Sequence, residues 1–250
     1  IIREAFAKPV QMLPQKEPMF DLIQMSEEAF VKLFETHRNL LFVEFDSSLE
    51  KPKIEIRRDV WSYPQVVINV YTPDDSDLQK LIEKNQEQFA DFYVANEHER
   101  LINAYNRIPN HRARNWVKEN MQLKVSVPEG FFMAKQESDF VWIRQTGTRE
   151  DLELGLLISI RPYRDPEVDF NHQVIWERRD KMTKQHIPGT FPGTYMTTYP
   201  ELSPVFEEIN FNGSYAIKAR GLWKVHNDFM GGPFLNITFV DEERGRLITL

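Results

Sequence analysis

Four of the chain's ten glycines, Gly213, Gly221, Gly231 and Gly232, fall within twenty residues, and the last two sit in the run Asp228-Phe229-Met230-Gly231-Gly232-Pro233-Phe234. Glycine alone adopts positive φ at no steric cost. The run therefore predicts a tight turn between two strands, with the glycines reversing the chain and Pro233 opening the second strand. A turn of this kind commits the end of the chain to an antiparallel sheet and names no reaction.

The pattern upstream of that turn divides the chain near residue 120. In the first part, Pro9, Pro14 and Pro18 predict an extended entry. Ser26 followed by Glu27, Glu28, Phe30, Leu33 and Phe34 has the cap and apolar spacing of a helix ending near Arg38. Strands are expected at 40–45, 53–58 and 65–71, where β-branched and alternating apolar residues lie between turn signals. Thr72-Pro73-Asp74-Asp75 reads as a helix start, with Thr72 as cap and Pro73 at the first helical position. The long helix that follows carries an apolar stripe through Leu78, Leu81, Ile82, Phe89, Phe92 and Tyr93. Polar Asn96-Glu97-His98-Glu99-Arg100 separates this stripe from a rotated one through Val94, Leu101 and Tyr105, so the helix either bends there or touches two partners; Glu97-His98-Glu99 reads as a solvated segment, and Pro109 ends the helix.

From Leu123 the texture turns to strands, expected at 123–127, 131–134, 140–144 and 154–160. Asp165-Pro166-Glu167 predicts one helix running to about His186. Strands follow at 195–199, 205–211, 215–225 and 234–240. The run Leu247-Ile248-Thr249-Leu250 looks like an unfinished strand, so sequence is expected beyond the last residue, as it is before Ile1. The fold class expected is α+β, with two sheet-and-helix regions at residues 1–120 and 121–250.

Composition narrows the chemistry. At 250 residues and 41% hydrophobic content, the chain is long enough to bury about 70–75% of its unfolded surface without a disulfide or a metal. The absence of cysteine removes thiolate catalysis, iron-sulfur ligation and cysteine-zinc sites. A net charge of −7 has the wrong sign for a general nucleic-acid or anionic-membrane binder. No apolar run approaches the roughly 18 residues of a membrane span.

Motif chemistry is sparse. The six histidines never take the short spacings that place two ligands on one helical face, so no metal site is expected. No Gly-x-Ser-x-Gly elbow and no phosphate-cradling glycine loop occurs. No catalytic residue and no cofactor is assigned. The one feature above background is on the strand through Ala219, where Lys218, Arg220 and Lys224 share a face with Leu222 while Tyr215, Ile217 and Trp223 take the other. That stripe reads either as the solvated face of an antiparallel sheet or as a surface for an anionic ligand or acidic partner. In the second reading it is bounded by Trp223 and Asp228, and Arg161 and Arg164 extend it.

Met12-Leu13-Pro14 with Glu17-Pro18-Met19-Phe20, Thr36-His37-Arg38-Asn39, Lys51-Pro52-Lys53, Arg58-Asp59-Val60-Trp61, Glu99-Arg100-Leu101-Ile102, Tyr195-Met196-Thr197-Thr198 and Arg220-Gly221-Leu222-Trp223 through Phe234 resemble domain-of-unknown-function family 4837, predicted lipoproteins of Bacteroidetes. The resemblance spans essentially the whole chain. It implies an exported protein anchored through a lipidated N-terminal cysteine on the periplasmic side of the cell envelope, with a further strand and helix after residue 250. The family carries no activity to transfer. The second half is also similar in element order to PsbP-like α/β/α domains, which implies a binding or assembly role by analogy of fold alone. The function expected is therefore a noncatalytic envelope module that binds a protein or an anionic ligand. The alternative is a hydrolase in which Asp228 or His226 acts as base beside the glycine turn.

Overall fold

The computed structural model describes residues 1–147 and 153–250, and the protein is α+β. Its packing forms two compact units, Ile1–Pro9 with Glu17–Arg107 and Val10–Lys16 with Ile108–Leu250.

The first unit contains α1 (Ile2–Phe6), a 3-10 turn (Glu27–Ala29), α2 (Lys32–Glu35), β1 (Asn39–Phe45), β2 (Lys53–Arg58), β3 (Val66–Thr72) and α3 (Asp75–Arg107). The strands form a sheet in the order β1-β3-β2, with β3 parallel to β1 and antiparallel to β2. The β-branched run Val66-Val67-Ile68 occupies the centre because a middle strand is covered on both faces. On one face Val66, Ile68 and Val70 meet Leu78, Leu81, Ile82, Phe89 and Tyr93 of α3. On the other, Phe42 is met edge-on by Phe30 at 5.0 Å and by Trp61 at 6.3 Å.

Two expectations for this unit are corrected. The helix over 26–38 is only a 3-10 turn and a four-residue helix. Phe30 and Phe34 pack with each other, Phe30 packs with Phe42 and Trp61, and Leu33 is left exposed, so tertiary aromatic contacts override the helical spacing. The cap of α3 is Asp74, whose Oδ1 accepts from the Asp77 amide at 2.9 Å, while the Thr72 hydroxyl donates to the Asp74 carbonyl. The stretch Asn96–Arg100 is partly withdrawn from solvent, with His98 exposed. Asn96 is 1% exposed and donates to Arg38 O and Asn39 Oδ1, and Glu97 accepts from Arg38 Nε and Arg100 Nε at 2.8 Å each. A polar network continues the buried stripe of α3 onto the start of β1.

The second unit contains α4 (His111–Met121), β4 (Phe132–Gln136), β5 (Phe140–Thr146), β6 (Glu153–Pro162), α5 (Pro166–Asp169), α6 (His172–His186), β7 (Met196–Thr198), β8 (Val205–Phe211), β9 (Ser214–Val225), β10 (Gly231–Asp241) and β11 (Arg246–Thr249). The sheet is antiparallel in the order β4-β5-β6-β11-β10-β9-β7, with β8 also on β9. Alternation along β5 sends Val141 and Ile143 to one side, where Ala113, Val117 and Met121 of α4 cover them. Phe140 and Trp142 go to the other side, against Met182 of α6 and Ile187. The sheet is thus a middle layer with a helix on each face.

Two expectations fail here. Residues 123–127 form no strand, because their backbone runs beside the entry to α4, where the Asn110 amide donates to Val127 O at 2.8 Å. Leu123 and Val125 still pack against the α4 cluster, which explains their apolar alternation. The helix over 165–186 is two helices. Asp165 caps the first by accepting from Val168 N, and Asn171 restarts the second by accepting from Val174 N.

Candidate functional site

The register of β9 fixes which side chains share a face. Trp223 lies opposite Thr198 and Gly232, and Phe234 lies opposite Gly221. Thr198 accepts a hydrogen bond from Arg179 of α6, so this is the α6 side of the sheet. Lys218, Arg220 and Lys224 project from the opposite side. Lys218 forms an ion pair with Glu207, and the Lys224 ammonium sits 5.1 Å from the centre of the Tyr199 ring. Arg220 stands between Val205 and Leu235 with no ion pair or hydrogen bond among the described residues. Asp228 lies past the strand, where its Oδ1 accepts from the Phe229 amide. The three cations share one face, and neither Trp223 nor Asp228 joins them. His226 stacks on Tyr195 with ring centres 4.9 Å apart, and among the described residues it bonds to no ionisable side chain.

The Gly-Gly-Pro run does not reverse the chain, which corrects the expectation drawn from it. The positive φ of the β9–β10 hairpin belongs to Asn227, at 59°, while Gly231 and Gly232 already lie within β10. These glycines serve close approach. A Cβ at Gly221 would stand 2.6 Å from the Phe234 ring, and one at Gly232 would stand 3.1 Å from the Trp223 indole nitrogen. Each aromatic ring lies over the glycine opposite it, and Phe234 in turn carries the Arg179 guanidinium at 3.6 Å.

The α6 side carries a second group of cations. Arg179 is buried, donates to Thr198 Oγ1 at 2.9 Å and reaches Asp180 at 3.3 Å; burial pulls its pKa down to about 10. Arg178 pairs at 2.6 Å with Asp169, a carboxylate fully removed from solvent that also accepts from Arg164 N. Arg161 lies across from Leu247, on the same side. Its guanidinium is half-buried and has neither an ion pair nor a hydrogen bond among the described residues. Burial, and then the charge of Arg178, hold it below the ordinary arginine range, with Asp169 and Asp139 pulling the other way. Arg161 therefore does not extend the Lys218 stripe, because it belongs to the opposite face of the sheet.

Arg161 lines an open cleft of about 520 Å³. Its lining includes the buried Phe140 and Met182 and the exposed Pro162, and Lys181, Arg244 and Arg246 join Arg161 as cations against a single carboxylate, Asp139. Arg246 and Arg244 are both tied to Asp241, at 2.8 Å and 3.2 Å. Lys181 is exposed and has no ion pair among the described residues, so Arg161 and Lys181 are the charges left for a ligand. His186 closes one end, stacked on Phe140 at 4.0 Å with Lys135 Nζ 3.0 Å from its Nδ1. Burial and the Lys135 charge lower its pKa, so the imidazole is neutral at pH 7. Among the described residues no three histidine, aspartate or glutamate side chains stand together as a metal site.

Sequence reasoning missed Arg178, Arg179, Lys181, Arg244 and Arg246. One signal was available: Arg179 stands on the stripe Ile175, Met182, His186 that α6 buries, where a cation is out of place. No curated protein and no solved structure matches the chain. The model of a second domain of unknown function, DUF8532, matches residues 1–106. The model of the domain of unknown function DUF4837 matches residues 110–250, more than half of the sequence, and the chain belongs to that family.

Proposed function

We propose that the protein is a noncatalytic binding module whose α6-side cleft takes an anionic ligand. The observation that carries this reading is Arg161. A guanidinium half-withdrawn from water, with no close ion pair among the described residues and only the more distant charges of Asp169 and Asp139 to offset its burial, is incompletely compensated by its own fold. A bound anion would offset the remainder, and the cleft beside it is large enough for a small organic molecule. Lys181 at the rim would add a second point of attraction. Ser159 and His186 both line the cleft, but among the described residues no hydrogen bond joins them, and that supports binding over chemistry.

The resemblance to predicted lipoproteins supports a place in the cell envelope, held at the membrane through a lipidated N-terminus. No helix among the described residues is long and apolar enough to cross a membrane itself. Fractionation of cells expressing the full-length protein tests the address: recovery in the cytosolic fraction refutes it.

Binding is tested by calorimetry with a panel of small organic anions against wild type, Arg161→Ala and Lys181→Ala. The expected result is anion binding that each substitution weakens, with Arg220→Glu and Lys224→Glu, on the other face, leaving it unchanged. Loss of binding on reversal at Arg220 and Lys224 alone would move the site to the opposite face.

A further inference from the structure

Two adjacent loops at one end of β9 hold apolar side chains out in water. Phe229, at the tip of the β9–β10 hairpin, is 95% exposed, and Phe191, between α6 and β7, is 60% exposed. Met230 and Pro192 beside them are exposed as well. The loops touch, with the Thr190 hydroxyl 3.9 Å from the Met230 sulfur and the His226 amide donating to Tyr195 O at 2.8 Å. Neither loop is slack. Val225 N donates to Met230 O at 2.8 Å across the hairpin, and Thr194 N donates to Phe191 O at 3.1 Å across a turn that Gly193 allows with a φ of 82°.

Behind the rings the chemistry changes. The Lys184 ammonium, on α6, lies 4.7 Å from the centre of the Tyr195 ring, and that of Lys224, on the opposite side of the sheet, lies 5.1 Å from the centre of the Tyr199 ring. Neither lysine has an ion pair among the described residues. The one carboxylate of the hairpin tip, Asp228, accepts from the Phe229 amide through Oδ1, and its Oδ2 is shielded from solvent. Each face of the sheet therefore sets one unpaired ammonium, resting on a tyrosine, behind the exposed phenyl rings.

That order matches the layers of a lipid surface. Phenyl rings suit the acyl boundary, tyrosines suit the headgroup level with their polar tips in water, and long lysine side chains reach back to the phosphates. We infer that this end of the second unit docks on an acidic lipid surface, with Phe191 and Phe229 entering the acyl boundary and Lys184 and Lys224 meeting lipid phosphates. The net charge of −7 opposes adsorption of the chain as a whole, so the contact is confined to this end. Rings that enter only the boundary give weak, reversible attachment. The contact orients the unit at a membrane and is independent of the anion cleft.

The test is flotation of the 250-residue chain with phosphatidylcholine vesicles, with and without phosphatidylglycerol. Binding to the mixed vesicles is expected at about millimolar lipid. Phe229→Ser and Phe191→Ser are each expected to weaken it at least about fivefold. Lys184→Gln with Lys224→Gln is expected to bring mixed-vesicle binding down to the level of phosphatidylcholine alone. Both rings are exposed, so the thermal midpoints of the two serine variants are expected to match wild type, which makes lost flotation a lost contact. Wild type that fails to float with the mixed vesicles overturns the inference, as does flotation that both ring substitutions leave unchanged. Self-association without vesicle binding, abolished by Phe229→Ser, overturns it in favour of a second copy of the chain.

Discussion

Phe234 and Gly221 face each other across β10 and β9, and the ring occupies the space a side chain at Gly221 would need, 2.6 Å from where its Cβ would lie. The relation repeats one step along the ladder, where Trp223 lies over Gly232. Glycine weakens a strand when nothing covers it, and a cross-strand ring restores the missing contact. Arg179 then rests on Phe234, so the glycines set the depth at which α6 sits on the sheet.

Gly221→Ala therefore displaces a ring that already bears a guanidinium on its other side. It is expected to destabilise the second unit by about 1–3 kcal/mol. A Cβ at Gly232 would stand farther from its ring, 3.1 Å from Trp223, so Gly232→Ala is expected to cost less. Urea unfolding of the two variants checks the order, and equal midpoints would show that Phe234 yields freely.

Gln65 is fully buried and joins three segments of the first unit. Its Nε2 donates to Glu35 O at 2.7 Å and His37 O at 2.6 Å, and its Oε1 accepts from Trp61 N at 2.9 Å. Gln65→Leu leaves those backbone groups without partners and is expected to cost about 2–4 kcal/mol. Denaturant unfolding measures it, and a shift below the error of the method would contradict the role.

Asp169→Ala removes the carboxylate that Arg178 pairs with and leaves two guanidinium groups, Arg178 and Arg161, facing one another. Breaking a buried pair from one side is expected to cost about 3–5 kcal/mol. The double variant Asp169→Ala with Arg178→Met is expected to recover part of that loss. Recovery of nothing, measured by thermal unfolding, would place the cost in cavity formation instead of in charge.

Glu97 sets an acid limit for the first unit. Burial alone would raise its carboxyl, but hydrogen bonds and charge from Arg38 and Arg100 hold it below the ordinary value of 4.5. A depressed carboxyl contributes stability that is present above the unfolded value and lost as pH falls through the folded one. Urea midpoints are therefore expected to fall as pH drops below about 4.5. Glu97→Gln is expected to flatten that dependence, and an unchanged slope would assign it to other carboxylates.

The sequence made strands legible wherever burial and backbone pairing coincide. Lys53–Arg58 and Val205–Phe211 are found at the residues their alternation indicated. Residues 123–127 have the same alternation without pairing, because they bury Leu123 and Val125 against a helix. Period two also placed Lys218, Arg220 and Lys224 correctly on one face of β9. It could not say which cations are spent, since the carboxylate of Glu207 arrives from β8 and the Tyr199 ring from the segment after β7. The cleft was less legible still. Arg161 is on β6, Lys181 and His186 are on α6, Asp139 precedes β5, and Arg244 and Arg246 stand at the start of β11, so no spacing along the chain joins them.

β9 is covered along its outer edge by two short strands in succession, β8 against Ser214–Arg220 and β7 against Trp223–Val225, with Tyr199 N donating to Leu222 O between them. A twelve-residue strand in the heart of the unit would otherwise offer a long row of free amides and carbonyls to any neighbouring polypeptide. Proteolytic clipping between residues 199 and 204 would loosen that cover, so cleavage there would register first as a tendency to self-associate and only later as loss of the fold.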